Sequence, residues 1–389
     1  MKNNLLFIHG GGPTAVLNCS LWGALDEAKK HSGTGCLYAA LGGTGGFLKE
    51  RLFDLRELPP DELELLKTTP GSFIGTSRDR LSEDDYRKMA GLAGRYGIKY
   101  ILVNGGNGTM DACGRLAEAC SGMDVRVIGI PKTMDNDIAV TDHCPGYGSA
   151  ARYIAGSIAE VAADVAGMPI HVVIIETSGR NAGWLAASAA LAGPDAADLI
   201  YVPERLFSED EFLEDVTSLI ERKRSGIVVA SEGLRGEDGE LLVRPLRVVG
   251  RSVSYGSVAG HLRELIANRL GYKARGEKPG ILGRASVAWQ SVTDREEAIV
   301  VGREAVRAAL AGESGKMVGF ERISDNPYKI KTKLIDIKEV MLSERKLPEH
   351  FINSRGNYVT EEFIDYCTPL IGGQLPRFAK LKIKKTTVV

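Results

Sequence analysis

The 389-residue chain lacks the features that mark several classes of protein. Its six cysteines form no C-x-x-C and no paired ligand spacing, so the sequence indicates neither a zinc site nor a disulfide framework. The formal net charge is only −1, which gives no electrostatic reason to bind nucleic acid or a membrane surface. The apolar run at residues 5–8 is too short for a signal peptide core or a membrane span. We therefore expect a cytoplasmic protein with reduced thiols and with no nucleic acid or membrane partner.

The two best-known nucleotide-binding fingerprints are also missing from the glycine-rich turns. The turns at residues 9–14 (HGGGPT) and 104–109 (NGGNGT) match neither G-x-x-x-x-G-K-[ST] nor G-x-G-x-x-G. Both turns, however, follow a strand-like run and precede a helical pattern, where free backbone N–H groups and the helix dipole favour an anion. Each turn alone is more commonly a plain tight turn, but the pair indicates one phosphate-rich ligand between them.

The alternation of apolar runs and amphipathic stretches predicts an α/β fold. Such alternation favours a mostly parallel sheet with helices on both faces. The predicted strands lie at residues 5–8, 36–41, 100–103, 125–130, 172–175 and 227–230, and the predicted helices at 15–30, 83–96, 110–119 and 150–166. We expect a charged helical segment within residues 316–345, and the alternating lysines of 380–385 indicate an edge strand.

Residues 131–137 (PKTMDND) carry the most informative side chains. They directly follow a predicted strand, and ligands of open α/β sheets bind at the carboxyl ends of the strands. A carboxylate there can take a proton from a hydroxyl group while Lys132 holds phosphate charge. An Asx-rich turn without function is the alternative, since Pro, Thr, Asp and Asn all favour turns. Further along, Arg180 could clamp a sugar or phosphate, or form a structural salt bridge with Glu176.

In this order, the motifs resemble those of the phosphofructokinase family. The matching segments are residues 11–18, 105–109, 131–137, 146–149, 179–184 and 231–233, together with Arg275 and Arg284. The resemblance is closest to the branch that includes pyrophosphate-dependent fructose 6-phosphate 1-phosphotransferases. It implies two Rossmann-like α/β domains with mostly parallel sheets and an active site in the cleft between them. The donor domain would comprise residues 1–147 plus about 285–335, and the sugar-phosphate domain 148–284 plus about 336–389.

The resemblance also implies an activity, 6-phosphofructokinase, with Mg²⁺ as cofactor and fructose 6-phosphate as acceptor. Asp135 matches the base that takes the proton from the 1-hydroxyl group, and Lys132 and Thr133 match residues that support the transferred phosphoryl group. The implied donor contacts are Gly11, Arg78, Gly106, Asn107, Gly108 and Thr109. The implied sugar-phosphate contacts are Thr133, Asp135, Asp137, Ser178, Gly179, Arg180, Glu232, Arg275 and Arg284. In the family one such arginine crosses from a neighbouring subunit, so we expect a homodimer or homotetramer.

Some positions depart from the family pattern. Asn107 stands where the family has its magnesium-associated aspartate, which puts magnesium binding through that position in question. Ser178 and Ile281 are untypical of the acceptor pocket and leave open a different phosphorylated sugar. Trp22 and Asp26 replace effector-binding arginines, so we expect weak or absent control by nucleotide diphosphates.

The two positions that discriminate phosphoryl donors disagree. Gly108 leaves room for ATP where pyrophosphate enzymes usually carry aspartate, whereas Lys132 is typical of pyrophosphate users. Because steric and charge exclusion is the stronger filter, we slightly favour ATP, with pyrophosphate as the alternative. A hypothesis from another class is an inactive family member that senses sugar phosphate or nucleotide, as Asn107 and Ser178 would allow. Against a sensor stand the intact Asp135, Asp137, Arg180 and Arg284, because a sensor has no evident need for the base.

Overall fold

The structure is a computed structural model that describes residues 3–249 and 252–379. The strands in chain order are β1 (Asn3–His9), β2 (Thr34–Ala40), β3 (Leu52–Asp54), β4 (Ile98–Gly105), β5 (Arg126–Pro131), β6 (Val172–Thr177), β7 (Leu199–Tyr201), β8 (Leu206–Phe207), β9 (Gly226–Ser231), β10 (Arg235–Gly236), β11 (Pro245–Val249), β12 (Ser252–Tyr255), β13 (Ala274–Glu277), β14 (Lys316–Asp325) and β15 (Tyr328–Asp336). The α-helices are α1 (Leu17–Ala28), α2 (Gly43–Leu48), α3 (Pro60–Leu65), α4 (Glu83–Arg95), α5 (Asn107–Ala119), α6 (Tyr147–Val165), α7 (Trp184–Ser188), α8 (Glu209–Lys223), α9 (Val258–Leu270), α10 (Leu282–Ala285), α11 (Val292–Leu310), α12 (Ile337–Val340) and α13 (Glu361–Cys367). Short 3-10 helices lie at Leu55–Glu57, Ala189–Ala192, Glu349–Phe351 and Thr368–Ile371.

The larger sheet has seven strands in the order β15-β14-β5-β4-β1-β2-β3. The strands from β14 to β2 pair in parallel, whereas β3 and β15 join the two edges in antiparallel orientation. Apolar side chains of α1 and α11 cover one face, and those of α4 and α5 cover the other. Because both faces are buried, its central strands are nearly continuous apolar runs in the sequence.

The smaller sheet has four parallel strands in the order β13-β6-β9-β7. Helices α8 and α9 cover one face, and α6 and α7 cover the other together with the C-terminal helix α13. The remaining strands form two small pairs, β8 with β10 and β11 with β12. Within the described residues, no helix combines the length and the apolar character that crossing a bilayer requires.

Each predicted strand and helix up to residue 230 is present, with ends that shift by a few residues. The expected helical segment within residues 316–345 is wrong, because β14 and β15 form an antiparallel hairpin there and only four residues of α12 follow. The charged residues of β15 alternate with apolar ones at the solvated edge of the sheet, so they are compatible with a strand. The predicted strand at residues 380–385 lies outside the described part of the chain.

Candidate active site

Parallel pairing brings three chain segments with functional side chains to one edge of the larger sheet. In the register of the strands, His9 at the end of β1 is opposite Asn104 in β4, and Gly105 is opposite Pro131 at the end of β5. The three strands therefore end at the same level. The turns that follow them, at residues 10–14, 106–109 and 132–137, line one cleft.

Two glycines allow the first two turns to touch. The N–H group of Gly10 donates to the carbonyl oxygen of Asn104 at 2.9 Å. A Cβ atom at Gly10 or at Gly105 would overlap the side chain of Thr109, so neither position has room for a larger residue. Gly11 has a φ of +76°, which a side chain would strain. The glycine pattern thus has a packing cause in addition to the expected anion site.

The cleft holds a cavity of about 480 Å³ between the strand ends of the larger sheet and residues of the smaller sheet's loops. The predicted residues that line it are Gly11, Arg78, Gly106, Asn107, Gly108, Thr109, Lys132, Thr133, Asp135, Asp137, Ser178, Glu232 and Arg284. Gly179, Arg180 and Arg275 are predicted site residues that do not line it. Arg275 is exposed and pairs with Glu277.

Lys132 is a buried cation in the wall of this cavity. Its side chain is 3% exposed, and its ammonium group donates to the carbonyl oxygen of Gly12. Burial lowers the pKa of Lys132 to about 8; the charge of Asp135 opposes this shift, and those of Arg284 and Arg78 add to it. An anion bound beside these groups would stabilise the protonated lysine.

Arg78 and Arg284 converge on the first glycine turn. A Cβ atom built at Gly12 would lie 2.8 Å from Nη1 of Arg284 and 3.2 Å from Nη2 of Arg78. Within residues 3–249 and 252–379, no ion pair is seen for either arginine, and the buried Nε of Arg284 has no hydrogen-bond partner. Cations held together in this way favour a bound anion such as a phosphate group. Arg284, expected at the 6-phosphate of the sugar, lies next to Gly12 of the first glycine turn, and its role at the sugar stays a prediction.

Asp135 faces these cations across the cleft. Burial raises the pKa of its carboxyl group to about 7, with further contributions from the negative charges of Asp137 and Glu232, while Lys132 and Arg284 oppose the shift. A carboxyl group with this pKa can both accept and release a proton near neutral pH.

Hydrogen bonds within the site hold the backbone of Asp135 and the carboxyl group of Asp137. The N–H group of Asp135 donates to Oγ1 of Thr133 at 3.1 Å. Nδ2 of Asn107 donates to Oδ2 of Asp137 at 2.8 Å, and burial raises the pKa of that carboxyl group as well. Asn107 therefore does what a second carboxylate could not, because it donates a hydrogen bond to Asp137.

Three oxygens of the site are buried and make no hydrogen bond to the described part of the chain: Oδ1 of Asn107, Oδ1 of Asp135 and Oδ1 of Asp137. Carboxylate and amide oxygens of this kind are the ligands that Mg²⁺ prefers, and Mg²⁺ commonly takes few protein ligands together with substrate phosphates and water. The residues thus fit Mg²⁺ in their chemistry. No group of three or more His, Cys, Asp or Glu side chains suited to a metal occurs among the described residues.

The sequence prediction missed a further wall of the cavity, formed by Thr44, Ser77 and Asp79. Asp79 accepts hydrogen bonds from Oγ1 of Thr44 at 2.8 Å and from the N–H group of Gly45 at 2.7 Å. The carbonyl oxygen of Ser77 accepts from the N–H group of Gly11 at 3.0 Å. The glycine-rich stretch 42–46, which follows β2, was the available signal, because β2 is parallel to β1 and ends at the same edge.

The chain matches a known protein family over most of its length. The family model described as phosphofructokinase matches residues 4–309. This chain belongs to the phosphofructokinase family. It is therefore an enzyme, a phosphotransferase with an alcohol group as acceptor. The expected family and the expected α/β fold with mostly parallel sheets are both confirmed.

Known relatives agree with this assignment along nearly the whole chain. The chain is 37% identical to pyrophosphate–fructose 6-phosphate 1-phosphotransferase of Xanthomonas campestris pv. campestris (strain B100), covering 96% of this chain and 93% of that protein. It is 34% identical to sulfofructose kinase of Alkalicoccus urumqiensis, covering 90% and 91%. The solved pyrophosphate-dependent phosphofructokinase of Nitrosospira multiformis superimposes with a TM-score of 0.88 at 33% identity, over 97% of this chain and 94% of that one.

Proposed function

We propose that this enzyme transfers a phosphoryl group to the 1-hydroxyl group of fructose 6-phosphate and forms fructose 1,6-bisphosphate. The observation that carries the proposal is that Asp135 shares one cavity with three cationic side chains, of which Lys132 is buried. The carboxyl group of Asp135 has a pKa of about 7 and one oxygen without a partner among the described residues, as a base for a sugar hydroxyl requires. Lys132, Arg78 and Arg284 line the same cavity and supply positive charge for the phosphoryl group.

In the proposed mechanism the ionised carboxylate of Asp135 takes the proton of the 1-hydroxyl group as its oxygen attacks the terminal phosphorus of the donor. Lys132, held at the carbonyl oxygen of Gly12, offsets negative charge on the transferred and departing groups. Thr133 keeps the loop in place through its bond to the N–H group of Asp135. When bound, Mg²⁺ would neutralise phosphate charge, and Asn107 with Asp137 would offer it oxygens.

For the donor, we favour ATP because the cavity extends past Gly108. Gly108 is exposed at the start of α5, and the cavity also includes Ala112, one turn further along that helix, with Leu81 and Tyr86 beyond. An apolar extension of this kind suits a nucleoside next to the phosphates. Pyrophosphate is the second candidate, because two relatives are named as pyrophosphate enzymes: the Xanthomonas protein at 37% identity and the Nitrosospira protein of the superimposed structure. Lys132 also fits a pyrophosphate donor.

The identity of the acceptor also has an alternative to fructose 6-phosphate. Arg180 and Arg275, implied as contacts to the sugar phosphate, do not line the cavity of the single chain. One relative is named as a sulfofructose kinase, so sulfofructose is the second acceptor to test. We propose a homodimer or homotetramer in the cytoplasm, in which the exposed Arg275 reaches a neighbouring subunit.

We also propose the two-domain division expected from the sequence. Residues 1–147 plus about 285–335 would form the donor domain, because β14 and β15 join the sheet of β1, β4 and β5. Residues 148–284 and those from about 336 onward would form the sugar-phosphate domain. Here α13 packs in the same apolar core as α6 and α7.

The experiment that tests the function is the initial rate of fructose 1,6-bisphosphate formation with Mg²⁺, run in parallel with ATP and with pyrophosphate. Turnover with ATP alone would support the role given to Gly108. Turnover with pyrophosphate alone would assign donor choice to Lys132 and its surroundings. No product with either donor would overturn the assigned reaction and direct the assay to sulfofructose.

A further inference from the structure

Asn136 lies between Asp135 and Asp137 and has an unusual backbone conformation. These residues belong to the segment 132–146 between β5 and α6, which we call the catalytic loop. Asn136 is completely buried, and its φ of +55° lies in the left-handed region, which asparagine tolerates better than most residues. Its side chain is bonded at both ends: Oδ1 accepts from the N–H group of Cys144 at 3.0 Å, and Nδ2 donates to the hydroxyl group of Tyr366 at 3.2 Å. These bonds hold the turn that aims Asp135 and Asp137 into the cavity.

Tyr366 reaches the loop from a distant part of the chain. It lies in α13, beyond the segment that matches the family model, and is 230 residues away from Asn136 in sequence. Its hydroxyl group donates to the carbonyl oxygen of Asp142 at 2.8 Å while it accepts from Asn136. Nη2 of Arg345 also approaches this hydroxyl at 3.4 Å. A single phenol group thus connects Asn136 to Asp142 further along the same loop.

The ring of Tyr366 is itself held firmly. The guanidinium group of Arg322 lies 4.4 Å from the ring centroid and donates to the carbonyl oxygen of Tyr366 at 3.0 Å. The rings of Trp184 and Phe351 each lie 5.5 Å from it. Contacts on several sides leave the hydroxyl group little freedom to follow a displaced loop.

Arg345 makes a second connection from the same C-terminal part of the chain. Its backbone N–H group donates to the carbonyl oxygen of Asp137 at 2.8 Å. Its guanidinium group lies 4.1 Å from the ring centroid of Trp184, and its carbonyl oxygen accepts from Nε1 of that tryptophan at 3.2 Å. Asn136 and Asp137 are therefore both anchored to the core around Trp184, the first through Tyr366 and the second through Arg345.

We propose that the C-terminal segment acts as a brace for the catalytic loop, with Tyr366 as a positioning residue that works through Asn136. The inference rests on the proposed function, because it assigns the brace to the loop that carries the base. Tyr366 lines no part of the cavity and touches no reacting group. A displacement of the base by a fraction of an ångström is enough to slow transfer while the substrates still bind.

The first test is the Tyr366→Phe variant, which removes the hydroxyl group and keeps the ring contacts. We expect kcat to fall about tenfold while KM for sugar and donor changes less than about twofold. Tyr358→Phe is the matched control, because Tyr358 packs against the same core and no hydrogen bond of its hydroxyl group to a described residue is seen. Equal kcat values for wild type and Tyr366→Phe would overturn the inference while leaving the proposed function intact.

A double-mutant cycle shows whether Tyr366 works through Asn136. Asn136→Gly removes the amide but suits a positive φ, so the backbone conformation stays accessible. In this background Tyr366→Phe should lower kcat by less than about twofold, since the partner is already gone. A full tenfold loss in both backgrounds would contradict a route through Asn136.

A readout without turnover keeps the inference testable even if the proposed reaction fails. The N–H group of Cys144 is bonded to Oδ1 of Asn136, so its hydrogen exchange reports directly on the brace. In Tyr366→Phe we expect peptides that cover residues 131–144 to exchange about tenfold faster, and in Tyr358→Phe as slowly as in wild type. Unchanged exchange in Tyr366→Phe would refute the brace, and absent wild-type turnover would refute only the function.

Discussion

Acidification should remove activity by protonating Asp135. With a pKa of about 7, its carboxyl group is about nine tenths ionised at pH 8 and about one tenth ionised at pH 6. The base works only when ionised, and Lys132, with a pKa of about 8, is about half protonated at pH 8 and almost fully protonated at pH 6. The two titrations together predict that kcat/KM falls about fivefold as the pH decreases from 8 to 6. The assay is the initial rate with fructose 6-phosphate and donor both well below their KM values and with Mg²⁺ present, because the rate then reports the pKa values of the free enzyme.

Two variants connect this acid limb to particular groups. Glu232→Gln removes a negative charge that raises the pKa of Asp135, so the limb should move to lower pH. Glu240→Gln changes an exposed residue and should leave the pH of the acid limb unchanged. Asp135→Asn should leave a low residual rate without this limb. A profile that is flat between pH 6 and 8, or a limb that persists in Asp135→Asn, would refute the assignment of the base.

The remaining predictions concern the donor, the lysine and the glycine turns. Gly108→Asp should lower the ATP rate at least about tenfold and spare any pyrophosphate rate, because a carboxylate would repel a nucleotide's α-phosphate; equal loss with both donors would contradict this. Lys132→Met should lower kcat about a hundredfold, and the alkaline loss of kcat/KM near the pKa of Lys132, about 8 in the free enzyme, should disappear in that variant. A retained alkaline limb would assign it to another group. Gly10→Ala should destabilise the fold by about 1–3 kcal/mol in urea unfolding because its Cβ overlaps Thr109. Gly91→Ala in α4, with open space around it, should stabilise by about 0.5–1 kcal/mol; similar effects of the two changes would show that the contact with Thr109 is unimportant.

The sequence predicted that the turns after β1, β4 and β5 lie together, for a physical reason. Buried parallel strands appear as apolar runs, and their carboxyl ends meet at one edge, so the turns after β1, β4 and β5 had to lie together. The positions of the arginines expected at the sugar phosphate were harder to predict from the sequence. Arg275 and Arg180 do not enter the cavity of the single chain, and Arg284 lies near Gly12. Their expected contacts to the sugar phosphate stay predictions.

Other features depend on contacts between residues that are far apart in sequence. Asp79 reaches the cavity because it accepts a hydrogen bond from Thr44, which is 35 residues away in sequence. No local sequence pattern indicates this contact. The bond between Asn136 and Tyr366 spans 230 residues. The hairpin of β14 and β15 was misread because its charged residues are compatible with both an exposed helix and an edge strand.

We propose that this family member performs phosphoryl transfer with Asp135 as the base. The most direct test compares wild type and Asp135→Ala for fructose 1,6-bisphosphate formation with each donor, and for binding of fructose 6-phosphate by calorimetry. We expect measurable wild-type turnover with at least one donor, a loss of about a thousandfold in the variant, and a Kd for fructose 6-phosphate that changes less than about threefold. Tight sugar-phosphate binding without turnover in the wild type would contradict it and favour a sensor of the same fold.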